Sequence, residues 1–168
     1  MELKNPKLRN LEEAVTRRLQ LRQQGQTLVL TNGCFDLLHA GHVHYLQAAS
    51  QLGDELWVLV NSDDSVRSLK GPHRPVQKEE HRAYVLSALS CIDLICLFTT
   101  PRLDQEIRQL QPDVYTKAGD YGPETLNQAE RKALTEVKAD IRFVPFLEGF
   151  SSSQLMERIN ATTQLPGK

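Results

Sequence analysis

The chain has 168 residues and 40% hydrophobic content, enough for one well-buried core and short for two, so a single domain is expected. With 20 Lys+Arg against 21 Asp+Glu the net charge is -1, which lacks the basic footprint of nucleic-acid binders and argues against a nucleic-acid partner. No apolar run approaches the roughly 18 residues of a membrane span, the N-terminus has no apolar signal region, and Cys34, Cys91 and Cys96 form no CxxC pair, so a soluble, cytoplasmic protein with free thiols is expected.

Residues 1–26 read as a helical lead-in, with Leu8, Leu11, Val15 and Leu19 on one stripe, packing on the core or on a second subunit. Short apolar runs then alternate with amphipathic segments. Strands are expected over Thr27–Thr31, Glu55–Val60, Asp93–Phe98, Asp113–Lys117 and Ile141–Pro145. Helices are expected over Val43–Leu52, from about Lys78 to Ser90, and over Leu103–Leu110, Pro123–Glu136 and Ser152–Ile159. Strands this short, separated by helices, need crossover connections. The pattern predicts a single Rossmann-like, doubly wound α/β domain over residues 27–160, a parallel sheet with helices on both faces, followed by a flexible tail over 161–168. No internal repeat or linker interrupts it.

In such sheets ligands bind outside the carboxyl ends of the strands. Polar residues gather there: Asn32 to His42 after the first strand, Asn61 to Asp64 after the second, Lys117 to Tyr121 after the fourth and Glu148 to Ser153 after the fifth. The most informative of these is His39-Ala40-Gly41-His42. A strand, a glycine turn and a helix start aim backbone N–H groups and a positive dipole end at one point, and two imidazoles three residues apart can converge on the same phosphate oxygens. The spacing of His39, His42 and His44, with Cys34 nearby, also suits a zinc ion, but no closed set of four ligands is in sight and no metal ligand is assigned. His44 should point away from His42 on the helix.

Leu69-Lys70-Gly71-Pro72-His73-Arg74-Pro75 reads as a Gly/Pro-rich loop able to close over a triphosphate, with Lys70 a point-charge contact and Arg74 either a second one or merely solvated. Arg82, flanked by Glu79, Glu80 and His81, is either an exposed helical ion pair or the partner of an anion. Lys117-Ala118-Gly119-Asp120-Tyr121 ends a strand at the binding edge, and Gly149 to Ser153 opens the last helix with serines that serve as caps or as phosphate donors.

Together these pieces resemble the cytidylyltransferase-like nucleotidyltransferases, marked by His-x-Gly-His after the first strand, over about residues 28–160. Thr31 to Val43, Val60-Asn61-Ser62-Asp63, Leu69-Lys70-Gly71 with Arg74-Pro75, and Lys117 to Tyr121 are most similar to the adenylyltransferase domains of ADP-heptose synthases. Ala118 stands where those domains usually carry glycine. The Arg-Thr-Glu-Gly-Ile-Ser-Thr-Thr stretch of glycerol-3-phosphate cytidylyltransferases reads Phe146-Leu147-Glu148-Gly149-Phe150-Ser151-Ser152-Ser153 here, and the absence of the arginine argues against CTP. The resemblance implies that ATP and a sugar 1-phosphate, D-glycero-β-D-manno-heptose 1-phosphate, give an ADP-sugar and pyrophosphate for lipopolysaccharide biosynthesis.

In that reading His39, His42 and Lys70 are catalytic. Asn32, Gly33, Cys34, Phe35, Gly41, Lys117, Gly119, Asp120, Ser151, Ser152 and Ser153 surround the nucleotide, and Asn61, Asp63 and Arg82 meet the acceptor. Mg²⁺ comes with the phosphates, a separate kinase supplies the sugar phosphate, and the protein is a homodimer. The rival readings are glycerol-3-phosphate cytidylyl transfer, FAD synthesis from flavin mononucleotide, and a non-catalytic nucleotide-binding regulatory module.

Overall fold

The computed structural model describes residues 3–119, 125–145 and 149–163. Its strands are β1 (Leu8–Arg9), β2 (Leu28–Gly33), β3 (Glu55–Asn61), β4 (Leu94–Phe98), β5 (Val114–Ala118) and β6 (Asp140–Val144). The helices are α1 (Leu11–Gln23), α2 (Ala40–Ser50), α3 (Asp63–Lys70), α4 (Glu79–Ser87), α5 (Asp104–Leu110), α6 (Gln128–Glu136) and α7 (Ser152–Thr163). All strands run parallel in one sheet of order β1-β4-β3-β2-β5-β6. The expected doubly wound Rossmann-like sheet is therefore present. Among the described residues no helix is long and apolar enough to cross a membrane.

The central strands are buried on both faces, which is why they read as continuous apolar runs rather than as an alternation. Leu28 and Leu30 of β2 and Trp57 and Leu59 of β3 pack with residues of α1, α5 and α6. Val29, Val58 and Val60, one residue out of step, pack with α2 and α4 on the other face. The period-two alternation of side chains thus divides one sheet between two cores. β2 lies between β3 and β5, so the chain leaves it toward opposite edges of the sheet, and the crevice at its carboxyl end is the place where a ligand fits.

Three expectations need correcting. Residues 1–26 are not one helix. Leu8 sits in β1, paired with Ile95 of β4, and α1 begins only after Asn10, whose side chain accepts from Glu13 N–H while Glu13 accepts from the Asn10 N–H. Leu11 and Val15 pack on the core of the same chain, whereas Leu19 is exposed.

The second correction is a helix not foreseen, α3, which makes Lys70 the last residue of a helix rather than a loop residue. Its Asp63-Asp64-Ser65 start has weak intrinsic helix propensity, but Ser62 caps Ser65 N–H, and carboxylates in the first turn suit the dipole. Finally, the boundaries move. α2 starts at Ala40 rather than Val43 because His39 is its cap, and α7 continues to Thr163, inside the segment expected to be a flexible tail. α6 begins at Gln128 behind the cap Asn127, and the part of the expected helix over 123–124 lies outside the described residues.

Arg18 of α1 ties this helix to the turn between α5 and β5. Its guanidinium is buried and donates to the carbonyls of Leu110 and Gln111 and to Asp113, while Asp113 also accepts from the Leu28 N–H at the start of β2. The positive charge also meets the negative end of α5. Arg18→Met is expected to lower the unfolding free energy by about 1–3 kcal/mol in urea denaturation, since it leaves buried carbonyls without donors while keeping the volume filled. An unchanged urea midpoint would show that α1 holds its place without this contact.

Candidate active site

A cleft of about 610 Å³ opens at the carboxyl ends of the central strands. It gathers Asn32, Gly33, Cys34, Phe35, His42, Asn61, Lys70, Lys117 and Ser152 from the expected set. His39 and Gly41 adjoin it through the start of α2.

Local geometry explains the motif. His39 has extended backbone and caps α2, its Nδ1 accepting from the His42 N–H at 3.3 Å. The two imidazoles stack with centroids 3.8 Å apart and planes 22° from parallel, and Phe35 meets His42 edge-on at 5.3 Å. Because Nδ1 of His39 is an acceptor, its proton sits on Nε2, which makes that atom a donor. Gly41 permits the approach: a Cβ there would stand 3.1 Å from the His39 ring and 3.1 Å from Phe150. Phe35 occupies the left-handed region at φ 47, a conformation costly for a bulky residue and one that clusters at functional sites. No carboxylate lies in the first turn of α2, so its positive end is left unneutralised by its own residues.

Burial pushes the His42 imidazole down to about 4, helped by the nearby charges of His39 and Lys70 and opposed by the Leu37 carbonyl. Burial also lowers His39. Both rings are therefore neutral at pH 7. His42 Nδ1 is buried without a hydrogen-bond partner among the described residues. His44 is exposed, as the helical spacing predicts. Among the described residues no group of three or more His, Cys, Asp or Glu is placed to hold a metal ion.

Two buried side chains that the sequence leaves ambiguous or passes over build the frame. Arg82 is not a surface ion pair. Its side chain is fully buried and donates to the carbonyls of Cys34 at 2.5 Å, Asn61 at 2.7 Å and Gln77 at 3.0 Å and to Asp63 at 2.8 Å. In this arrangement it holds the turn after β2, the end of β3 and the start of α3 rather than facing the cleft. Asp63 is spent on the same contact, and its N–H is received by Glu79 at 2.6 Å.

Asp36, next to the motif but not singled out from it, is buried and accepts from Arg74 at 2.7 Å and from the N–H groups of Val76 and Gln77. Arg74 is thus a clasp of the loop rather than a free phosphate contact. Lys70 lines the cleft beside Leu69.

At the other end of the cleft, the Asn32 Oδ1 accepts from Lys117 Nζ at 2.7 Å and from the Tyr115 hydroxyl at 2.8 Å. Burial pulls the Lys117 ammonium down, against the attraction of Glu130 and Cys34. Asn61 donates from Nδ2 to Ser65 and lies near the Cys34 thiol, 3.8 Å from Oδ1. Gly119 follows β5, its N–H held by the Val144 carbonyl at 3.0 Å.

Ser151 caps α7 by accepting from Gln154 N–H, Ser152 faces the cleft, and Ser153 is exposed. Asp120 lies outside the described residues. Arg102, Asn127 and Glu130 also line the cleft. Sequence reasoning missed them because they follow β4 and open α6, where no motif marks them.

The Asp36 clasp has a signed pH dependence. Burial alone would raise this carboxyl, but hydrogen bonds from Gln77, Arg74 and Val76 hold it below its ordinary value of 3.8. Its contribution is therefore complete above that value and is lost as pH falls through the lower folded value. Wild-type protein is expected to resist limited proteolysis over residues 71–78 at neutral pH and to open only in stronger acid, whereas Asp36→Asn is cut there at pH 7. Equal cleavage of both at pH 7 would remove Asp36 as the clasp.

Comparison with known proteins agrees with this geometry. Residues 30–162 match the cytidylyltransferase-like family. The chain is 45% identical over 138 residues to the bifunctional protein HldE of Syntrophotalea carbinolica, covering 82% of this chain and 28% of that protein. It is 47% identical over 143 residues to the HldE of Methylococcus capsulatus, covering 84% and 30%. The chain therefore spans under a third of the length of these curated relatives. Among solved structures, a lipopolysaccharide core biosynthesis protein from Thermoplasma volcanium superposes with a TM-score of 0.59 at 29% identity, over 73% of this chain and 98% of that one. A pantoate-beta-alanine ligase from Francisella tularensis, at 12% identity and TM-score 0.60 over 96% and 79% of the two chains, shares the fold alone. The helix-capping histidine pair lies within the matched residues, and the chain belongs to the cytidylyltransferase-like family.

Proposed function

We propose that the chain transfers an adenylyl group from ATP to D-glycero-β-D-manno-heptose 1-phosphate, forming an ADP-sugar and pyrophosphate. The observation that carries this reading is the stacked, neutral His39–His42 pair at the unneutralised N-terminus of α2, in one cleft with Lys70. The HldE relatives and the lipopolysaccharide core biosynthesis protein support the choice of sugar phosphate.

An oxygen of the sugar phosphate attacks the α-phosphorus, a new P–O bond forms, and the bond to the bridging oxygen breaks with its electron pair leaving on pyrophosphate. The attacking monoester is largely dianionic at pH 7, its second pKa being about 6, so no general base is required. Neutral imidazoles suit this division of labour, because each offers one N–H donor. His39 and His42 donate to phosphate oxygens as charge moves toward the leaving group, Lys70 balances the β- and γ-phosphates, and the turn held by Arg82 presents N–H groups to the α-phosphate. Mg²⁺ carried in on the nucleotide phosphates would add charge neutralisation there, beside that supplied by Lys70.

Pyrophosphate release with ATP and this heptose phosphate, and not with CTP and glycerol 3-phosphate or with ATP and flavin mononucleotide, is the expected result. Release with either other pair would move the substrate assignment, and none with any pair would favour a non-catalytic binding module. His42→Ala should lower kcat by about 100-fold or more while leaving the melting temperature near that of wild type. An active, well-folded His42→Ala protein would remove His42 from the chemistry.

Nucleotide binding should also raise the His42 pKa, since an anion beside the ring offsets the burial that, helped by the charges of His39 and Lys70, holds it near 4. Near pH 5, titration calorimetry in buffers of different ionisation enthalpy should therefore show proton uptake, diminished in His42→Ala. Heats that do not depend on the buffer would contradict this.

A further inference from the structure

The amide of Asn32 has a direction that follows from chemistry. Its Oδ1 receives both the Lys117 ammonium and the Tyr115 hydroxyl, and an ammonium has donors only, so turning the amide over would set N–H against N–H. The Nδ2 group therefore points away from them. It has no protein acceptor among the described residues, it is absent from the buried unpartnered atoms, and Asn32 lines the cleft. What remains is a donor offered to the cleft in one fixed orientation.

The face on which it is offered matters. Thr31 of β2 bonds Tyr45 of α2, while Leu28 and Leu30 pack toward α1, α5 and α6 together with Tyr115. Side chains alternate along a strand, so Asn32 emerges on the α5/α6 face, opposite the histidines. Arg102, Asn127 and Glu130 line the cleft near this end. His42 and Lys70 accompany the N-terminus of α2 at the other. In-line displacement places the attacking oxygen on the side of the phosphorus opposite the leaving pyrophosphate. With pyrophosphate beside Lys70, the acceptor approaches from the Asn32 side.

We propose that Asn32 Nδ2 is a specificity-determining donor to an oxygen of the phosphorylated acceptor, and that Tyr115 and Lys117 are positioning residues that hold it. The acceptor's part in this rests on the transfer reaction proposed above. It moves Asn32 and Lys117 from the nucleotide, where the family resemblance places them, to the other substrate. The recognised atom is a phosphoryl oxygen or a sugar oxygen, since both accept from an amide N–H.

The test is titration calorimetry of the full chain with D-glycero-β-D-manno-heptose 1-phosphate and, separately, with the unreactive α,β-methylene analogue of ATP. Asn32→Asp keeps both donors of Tyr115 and Lys117 satisfied but has no N–H. It should weaken the sugar phosphate by at least about 10-fold, change the nucleotide analogue by less than about 2-fold and leave the melting temperature unchanged. Tyr115→Phe, which frees one side of the lock, should weaken the sugar phosphate by about 3- to 5-fold with the same selectivity.

Inorganic phosphate as a third probe separates the two sources. Phosphate binding weakened in parallel assigns the phosphoryl oxygens, and phosphate binding unchanged assigns a sugar oxygen. Equal losses for both substrates in Asn32→Asp, or no loss for the sugar phosphate, overturn the proposal, as does a wild-type protein that binds no sugar phosphate. A wild-type protein that binds the sugar phosphate through Asn32 yet releases no pyrophosphate would defeat the transfer reaction and leave the donor standing.

Discussion

The turn that follows β2 keeps its shape because a guanidinium with no exposed surface, that of Arg82, is bonded on several sides at once. It reaches the carbonyls of Cys34, Asn61 and Gln77 and the carboxylate of Asp63. Those acceptors lie on three separate stretches of chain, around residues 34, 61–63 and 77, and Arg is suited to join them because its donors are fixed in a planar fork. Burying a cation is costly unless its donors are met, so the segments are coupled: displacing one leaves part of the charge unpaired. Asp36 repeats the device with opposite sign, holding Arg74 and the N–H groups of the following loop beside the histidine turn. The ligand edge is thus framed by an interior cation and an interior carboxylate, neither of which needs to touch a substrate.

Within that frame, the cleft is arranged for an anion. Lys70, Lys117 and the N-terminus of α2 supply positive potential, while burial keeps the imidazoles of His39 and His42 uncharged. The combination avoids the repulsion that two stacked imidazolium rings 3.8 Å apart would create. It also leaves each ring one N–H donor, directed by what its other nitrogen does. A neutral donor pair beside separate point charges assigns hydrogen bonding and charge balance to different residues, which suits phosphoryl chemistry dominated by positioning and electrostatics.

The sheet adds a second level of organisation. Because β2 is flanked by β3 and β5, its last residues face a crevice, and because its side chains alternate, Thr31 and Asn32 serve opposite faces. Thr31 anchors α2 through Tyr45, and Asn32 is held by residues of β5. One strand therefore carries the histidine turn to one side and an oriented amide to the other, with Gly33 between them and the turn.

Much of this was legible in the residues. Apolar runs separated by amphipathic segments specify a parallel α/β sheet, because local hydrophobic periodicity follows secondary structure and strands this short require crossovers. His39, Gly41 and His42 marked the start of α2 at the cleft for a similarly local reason, since a cap, a close approach and a helix start all fall within four consecutive residues.

Long-range pairing was not legible. Nothing local distinguishes Arg82 from a solvated helical arginine; its burial comes from partners 5 to 48 positions away. Arg74 became a clasp only when the fold brought Asp36 to it, and Leu8 became a strand residue only because β4 offered an open edge. The direction of the Asn32 amide depends on Tyr115 and Lys117, 83 and 85 residues distant. Neighbours along the chain are enough to specify the central strands, most of the helices and the capped start of α2, whereas β1 and α3 are not specified in this way. Tertiary structure decided which charges are spent on the frame and which donors are left for ligands, because desolvation and hydrogen-bond saturation exist only once distant segments are packed together.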